Sequence, residues 1–291
     1  MRTAGEEAAV LHARRIREAL REVAALRALQ EAAPSSSSAS SAGGNGGRGS
    51  SQRNIVRLLG AYRSAEGVVL ALELCELGTL GSNVGRWTAA GQQLQLGAVR
   101  YVAAQLLEAL RFVHRAGLLH RDVAPEKVLV RSLVAGVGAE VALADFGLCC
   151  SLRESGELRR RCGTVGYCAP EVFRYEAYDQ KVDMLGLGAV GLLVLEGSPP
   201  FERSRDPAER KRVLAVGRTL RAPNSLWFRR RPQRCEGIAT GSSGSVRFQR
   251  GVAEIDEARR ALQRLLCPRQ DRACAEEIRK DEAFFRHVCA E

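Results

Sequence analysis

The chain has 291 residues, 45% of them hydrophobic and 26% charged, with a formal net charge of +11 carried almost wholly by arginine. That length and balance allow a substantial buried core, which argues against an extended or disordered polymer. The longest apolar run, Met184 to Leu195, is too short to span a bilayer, and nine cysteines without a C-x-x-C pair fit scattered reduced thiols better than a disulfide framework or a zinc site.

The first residues, Met1 to Glu7, are charged where a secretory signal is apolar and lack the second-position glycine of a myristoylation site. An intracellular, cytoplasmic protein with no membrane partner is therefore expected. Residues 5–31 predict one long helix with Ile16, Leu20, Val23 and Leu26 on a stripe at helical spacing. Residues 34–51, rich in serine and glycine, predict a flexible insertion. Strands are expected at 55–62 and 67–73, and helices over Leu94 to Ala116, Val182 to Glu196, Pro207 to Leu220, Ile255 to Leu266 and Ala273 to Lys280. Short β runs are expected at Val128 to Val130 and Glu140 to Leu143, and a second insertion at 221–253. Within that insertion, Arg229, Arg230 and Arg231 follow Trp227 and Phe228, a grouping that can grip phosphate and stack bases. No nucleic-acid fold motif surrounds it, so a solvated loop is the better reading and no nucleic-acid partner is expected.

Three segments carry chemistry: His120-Arg121-Asp122-Val123-Ala124-Pro125-Glu126-Lys127, then Asp145-Phe146-Gly147, then Ala169-Pro170-Glu171. In that order and spacing they resemble the catalytic loop, metal-binding turn and activation-segment end of a eukaryotic protein kinase. Asn54 to Gly60, Leu70 to Glu76, Cys162 to Val172 and Asp183 to Gly188 extend the resemblance, and the wording is most similar to the calcium/calmodulin-dependent group.

The resemblance implies an α+β, bilobal protein-kinase-like fold over 1–287, with a truncated small lobe over 1–72 and a mostly helical large lobe over 73–287. It implies ATP and Mg2+ as cofactors, phosphoryl transfer to Ser/Thr hydroxyls, and a protein substrate or partner. Asp122 matches the catalytic base, Asp145 the magnesium carboxylate, and Thr164 the threonine of the peptide-positioning loop. Glu73 and Cys75 match the hinge that receives adenine, Leu129 lies beneath the ring, and Glu22 matches the helix glutamate of the phosphate-lysine pair. Leu26, Leu58, His120 and Phe146 match four stacked side chains that couple the lobes, anchored by Asp183. Glu171 and Arg272 match a structural ion pair, and Arg121 a partner for an activation-segment phosphate on Ser151 or Ser155. Glu126 hints at basic substrates. Cys149, Cys150 and Cys162 are candidate redox thiols.

Three departures stand beside these matches. Lys127 occupies the place of a metal-binding asparagine, Ala124 that of a phosphate-contacting lysine, and no lysine precedes position 127. The glycine-rich loop of the family would fall before Met1. An upstream extension is accordingly expected, and a catalytically impaired pseudokinase serving as a binding or scaffold module is the alternative.

Overall fold

The computed structural model describes residues 4–32, 54–65, 67–91, 96–135, 137–197, 258, 260–262, 264–267, 269–281 and 285. The insertion expected at 34–51, the helix expected over Pro207 to Leu220 and the whole of the second insertion lie outside them.

Helix α1 (Ala4–Glu31) is the long helix that the spacing predicts. Its stripe is buried only toward its C-terminal end: Val23, Ala25, Leu26 and Leu29 enter the core, whereas Leu20 is exposed. The buried end packs on an antiparallel hairpin of β1 (Leu58–Ser64) and β2 (Gly67–Leu72), in which Tyr62 faces Val69. Gln30 fastens the helix by donating from Nε2 to the Leu58 carbonyl at 3.0 Å.

After the hairpin the chain becomes helical. Helix α2 (Leu80–Ala89) was not foreseen from periodicity, and its start is set by Thr79, whose side chain accepts from the Ser82 N–H at 3.2 Å. Helix α3 (Leu96–Arg115) and helix α5 (Lys181–Glu196), on either side of the catalytic-loop sequence in the chain, pack on each other. Nearly all of α5 from Val182 to Val194 is buried, as expected of a helix apolar on every side. No helix among the described residues is long and apolar enough to cross a membrane.

Among the described residues, three two-stranded antiparallel sheets complete the frame. The second and third are β3 (Leu118–Leu119) with β6 (Cys150–Ser151), and β4 (Val128–Val134) with β5 (Gly138–Leu143). This pairing places the 120–127 segment between β3 and β4 and the 144–149 segment between β5 and β6. The Ala144 N–H donates to the Lys127 carbonyl at 2.8 Å, so the two segments run side by side. Helices α4 (Pro170–Phe173) and α6 (Ala275–Asp281) follow.

Two buried charges hold this frame. Asp183, in the first turn of α5, accepts from the Arg121 N–H at 2.7 Å, the His120 N–H at 2.9 Å and His114 Nε2 at 2.9 Å. Burial pushes its carboxyl up, but His114 and then His120 outweigh that and hold it below the usual range. Arg272 meets Glu171 at 2.7 Å, with the two side chains 0% and 4% exposed. Its remaining donors reach the carbonyls of Lys181 at 2.9 Å and Cys267 at 2.9 and 3.2 Å.

Replacing Arg272 with alanine strands the Glu171 carboxylate and should cost about 3–5 kcal/mol, read as a lower urea midpoint at unchanged slope. Coincident unfolding curves would show that the pair carries no stability. A second expectation concerns acid. The Asp183 pKa is lower folded than its reference of 3.8, so its stabilisation is complete above about pH 4 and is lost as pH falls through the folded value. Asp183→Asn leaves one acceptor oxygen where two served. It should melt earlier than the parent at about pH 7, by a margin that narrows as pH falls below about 4; a gap that widens toward acid would refute the assignment.

Candidate active site

The 120–127 loop is fixed at both ends and bent in the middle. Arg121 adopts φ +68°, a left-handed conformation rare for a side-chain-bearing residue, and the two amides held by Asp183 flank it. His120 is buried, with Nδ1 accepting from the Asp122 N–H at 3.3 Å, so its Nε2–H donates to the Ala144 carbonyl at 3.0 Å. Its ring meets Phe146 edge-on, with centroids 4.7 Å apart. Leu26, Leu58, His120 and Phe146 all lie in the core.

Asp122 projects from this bend. Its Oδ1 accepts from both the Thr164 N–H at 2.7 Å and the Thr164 hydroxyl at 2.6 Å. Among the described residues Oδ2 has no protein donor. Gly163 makes this approach possible: it sits at φ +97°, and a Cβ there would fall 2.8 Å from the Arg121 carbonyl oxygen.

Opposite lies Asp145, also left-handed at φ +63°. Its Oδ2 is ion-paired with Lys127, and its Oδ1 accepts from the Gly147 N–H at 3.4 Å. Burial works against the Lys127 charge, but Asp145, then Asp122 and Glu126, outweigh it and hold its ammonium above the usual pKa. Glu22, from α1, accepts from the Phe146 N–H at 3.4 Å. Its carboxyl is pushed up by burial and then by Asp145. Glu22 therefore has its cationic neighbour in Lys127, from the other side of the cleft, in a chain with no lysine before that position.

Glu73, Cys75 and Leu129 gather where β2 runs into α2. The Glu73 N–H donates to the Arg57 carbonyl at 3.0 Å, while its carboxylate accepts from the Arg57 N–H at 3.0 Å and pairs with Arg131. The Cys75 carbonyl accepts from the Gly78 N–H at 3.1 Å, closing a turn at whose end Thr79 bridges to Leu129. Val128 and Val130 are buried and Leu129 is half-buried, so alternation along β4 turns Leu129 to the side from which Lys127 emerges.

Sequence reasoning did not single out Glu157. Its Oε2 accepts from Arg121 at 2.9 Å and its Oε1 from Arg21 of α1 at 2.9 Å, so one carboxylate joins α1, the 120–127 loop and the 148–162 segment. Partial burial raises its pKa, but Arg121 and then Arg21 outweigh it and hold the carboxyl below its usual value. Nothing local could have revealed this, since Arg21 is 136 residues away. The cysteines nearby are poor redox candidates. Cys149 and Cys150 are buried, and burial pushes their thiols up to about 12 and about 11, away from the reactive thiolate. Cys162 is raised for the same reason.

Comparison with known proteins agrees with the resemblance. Phosphorylase b kinase gamma catalytic chain, liver/testis isoform, of Homo sapiens is 31% identical over 158 residues, 52% of this chain and 37% of that protein. Calcium/calmodulin-dependent protein kinase type 1 of Caenorhabditis elegans is 35% identical over 153 residues, 53% of this chain and 42% of that protein. Serine/threonine-protein kinase srk1 of Schizosaccharomyces pombe is 34% identical over 177 residues, 51% of this chain and 30% of that protein. The matched stretch thus spans less than half the length of these relatives. The protein kinase domain family matches residues 47–284, most of the chain, and the chain belongs to that family, with the bilobal fold that membership implies.

Proposed function

We propose that this chain is a protein serine/threonine kinase module that moves the γ-phosphoryl group of ATP to protein hydroxyls, with residues 1–72 contributing to the small lobe and 73–287 forming the large lobe. The observation that carries the reading is the pair of hydrogen bonds that Thr164 donates to Asp122 Oδ1, which orients one carboxylate and leaves Oδ2 for an incoming hydroxyl. In phosphoryl transfer the protein mainly positions the reactants and steadies charge. On this reading Asp122 orients the acceptor hydroxyl and takes its proton, and Thr164 holds Asp122. The Glu73 carbonyl and Cys75 N–H receive adenine, with Leu129 beneath it. The printed names of the matched relatives favour Ser/Thr acceptors. The Glu157 carboxylate supplies order that a phosphate on Ser151 or Ser155 would otherwise supply: Arg121 already has its anion. An intracellular setting, where ATP is plentiful, goes with this reading.

Magnesium, the family's usual companion of ATP, does not fit Asp145 while the Lys127 ammonium holds its Oδ2. Among the described residues no group of three His, Cys, Asp or Glu side chains gathers to hold a metal ion. The same contact favours a second reading, an impaired kinase domain that serves as a binding module, since each lost electrostatic group in an active site costs about 10²–10³ in rate.

Transfer from γ-labelled ATP to a serine peptide flanked by arginines tests the first reading. Asp122→Asn should lower the rate by about 10²–10⁴ without unfolding the protein; transfer no faster with the parent than without protein would favour the second. Glu157→Gln should expose the arginines at 159–161 to trypsin several-fold faster, at about pH 7, where the parent carboxylate is ionised and paired. Unchanged cleavage would show that the segment is ordered by other contacts.

A further inference from the structure

Lys127 is placed to act on a ligand. It closes the 3-10 turn Pro125–Lys127 by donating its N–H to the Ala124 carbonyl at 2.9 Å. The methyl group of Ala124 is fully buried, whereas the Lys127 side chain is 27% exposed and can meet a solute. The backbone bond between Ala144 and Lys127 fixes the lysine opposite Asp145, so the ion pair is set by the strand register of β4 and β5 as well as by charge. An ammonium carries three donors. One is spent on Asp145, and two remain for oxygens beyond it. A divalent cation seeking Asp145 Oδ2 must displace this ammonium or sit against it, at a repulsion that ordinary magnesium sites do not meet. The other lysine with a described side chain, Lys181, reaches the Arg269 carbonyl at 3.5 Å.

We propose that the Lys127 ammonium takes the place of the metal, bridging Asp145 to the phosphate oxygens of a nucleoside triphosphate, so that this cleft binds that ligand without a divalent cation. The inference rests on the reading of the cleft as an ATP site. It predicts a binding behaviour that reading alone does not.

The test is equilibrium binding of ATP and AMP to the full chain, by ligand-observed NMR, in excess EDTA and in excess magnesium. The Kd for ATP should agree within about twofold between the two conditions, and AMP in EDTA should bind at least about fivefold more weakly than ATP. Lys127→Asn should weaken ATP binding in EDTA by about tenfold and make it magnesium-dependent, while Lys127→Arg, which keeps the charge, should stay close to the parent. Parent binding about tenfold tighter with magnesium, equal affinity for ATP and AMP in EDTA, or an unchanged Lys127→Asn in EDTA would each overturn the proposal and leave the ATP site standing. Absence of ATP binding in both conditions up to about 10 mM would overturn the ATP reading as well. Should Lys127→Asn fail to fold, the parent in its two buffers and the Lys127→Arg variant still decide.

Discussion

A carboxylate removed from water must be answered by donors, and Asp183 is answered by two consecutive backbone amides and an imidazole. Because the amides belong to His120 and Arg121, the bond fixes the path of the chain as well as the charge. Arg121 is driven left-handed, the Asp122 side chain leaves the bend toward Thr164, and the His120 ring is set against the Ala144 carbonyl and Phe146. The position of one buried group is thereby passed through the histidine to the Asp145 turn. Removing that carboxylate acts on two loops at once, although it touches neither Asp122 nor Asp145.

The field inside the cleft runs against the field of the whole molecule. The chain carries +11, yet Glu22, Asp122, Glu126 and Asp145 all bear on a single ammonium. Such a local excess of acid disfavours an incoming polyanion unless a cation mediates. That balance gives Lys127 its weight: it is the cation on which these four carboxylates converge.

Much of this was legible in the sequence. The order of the His120, Asp145 and Ala169 segments carried the family, and the all-apolar stretch from Met184 marked the buried helix. The Glu171 and Arg272 pair followed from the resemblance, and the structure has it buried. Helix α2 was missed although Leu80, Val84 and Trp87 stand at helical spacing and Thr79 before Leu80 was a readable start signal, since Gly81 and Gly85 among them weaken the helical pattern. The stripe of α1 was read as continuous, whereas Leu20 is exposed between a half-buried Ile16, which lies beside Gly67 of the hairpin, and a buried Val23. Glu157 could not be found at all, since its meaning comes from arginines brought together only by the fold. Lys127 was legible as a misplaced cation, but its partner was not. The contact with Asp145 is created by the register of β4 on β5.

Gly147 joins two of these elements by clearance rather than by a bond. A Cβ there would stand 3.4 Å from Glu18 Cβ, 3.5 Å from the Glu18 carbonyl oxygen and 3.2 Å from Asp145 Oδ1. The fourth turn of α1 and the backbone after Phe146 therefore face each other across a space that one methyl group would nearly fill. Any side chain longer than that of alanine at 147 must press on Glu18 and on the Asp145 carboxylate together, so this one position sets how near the helix and the turn can come.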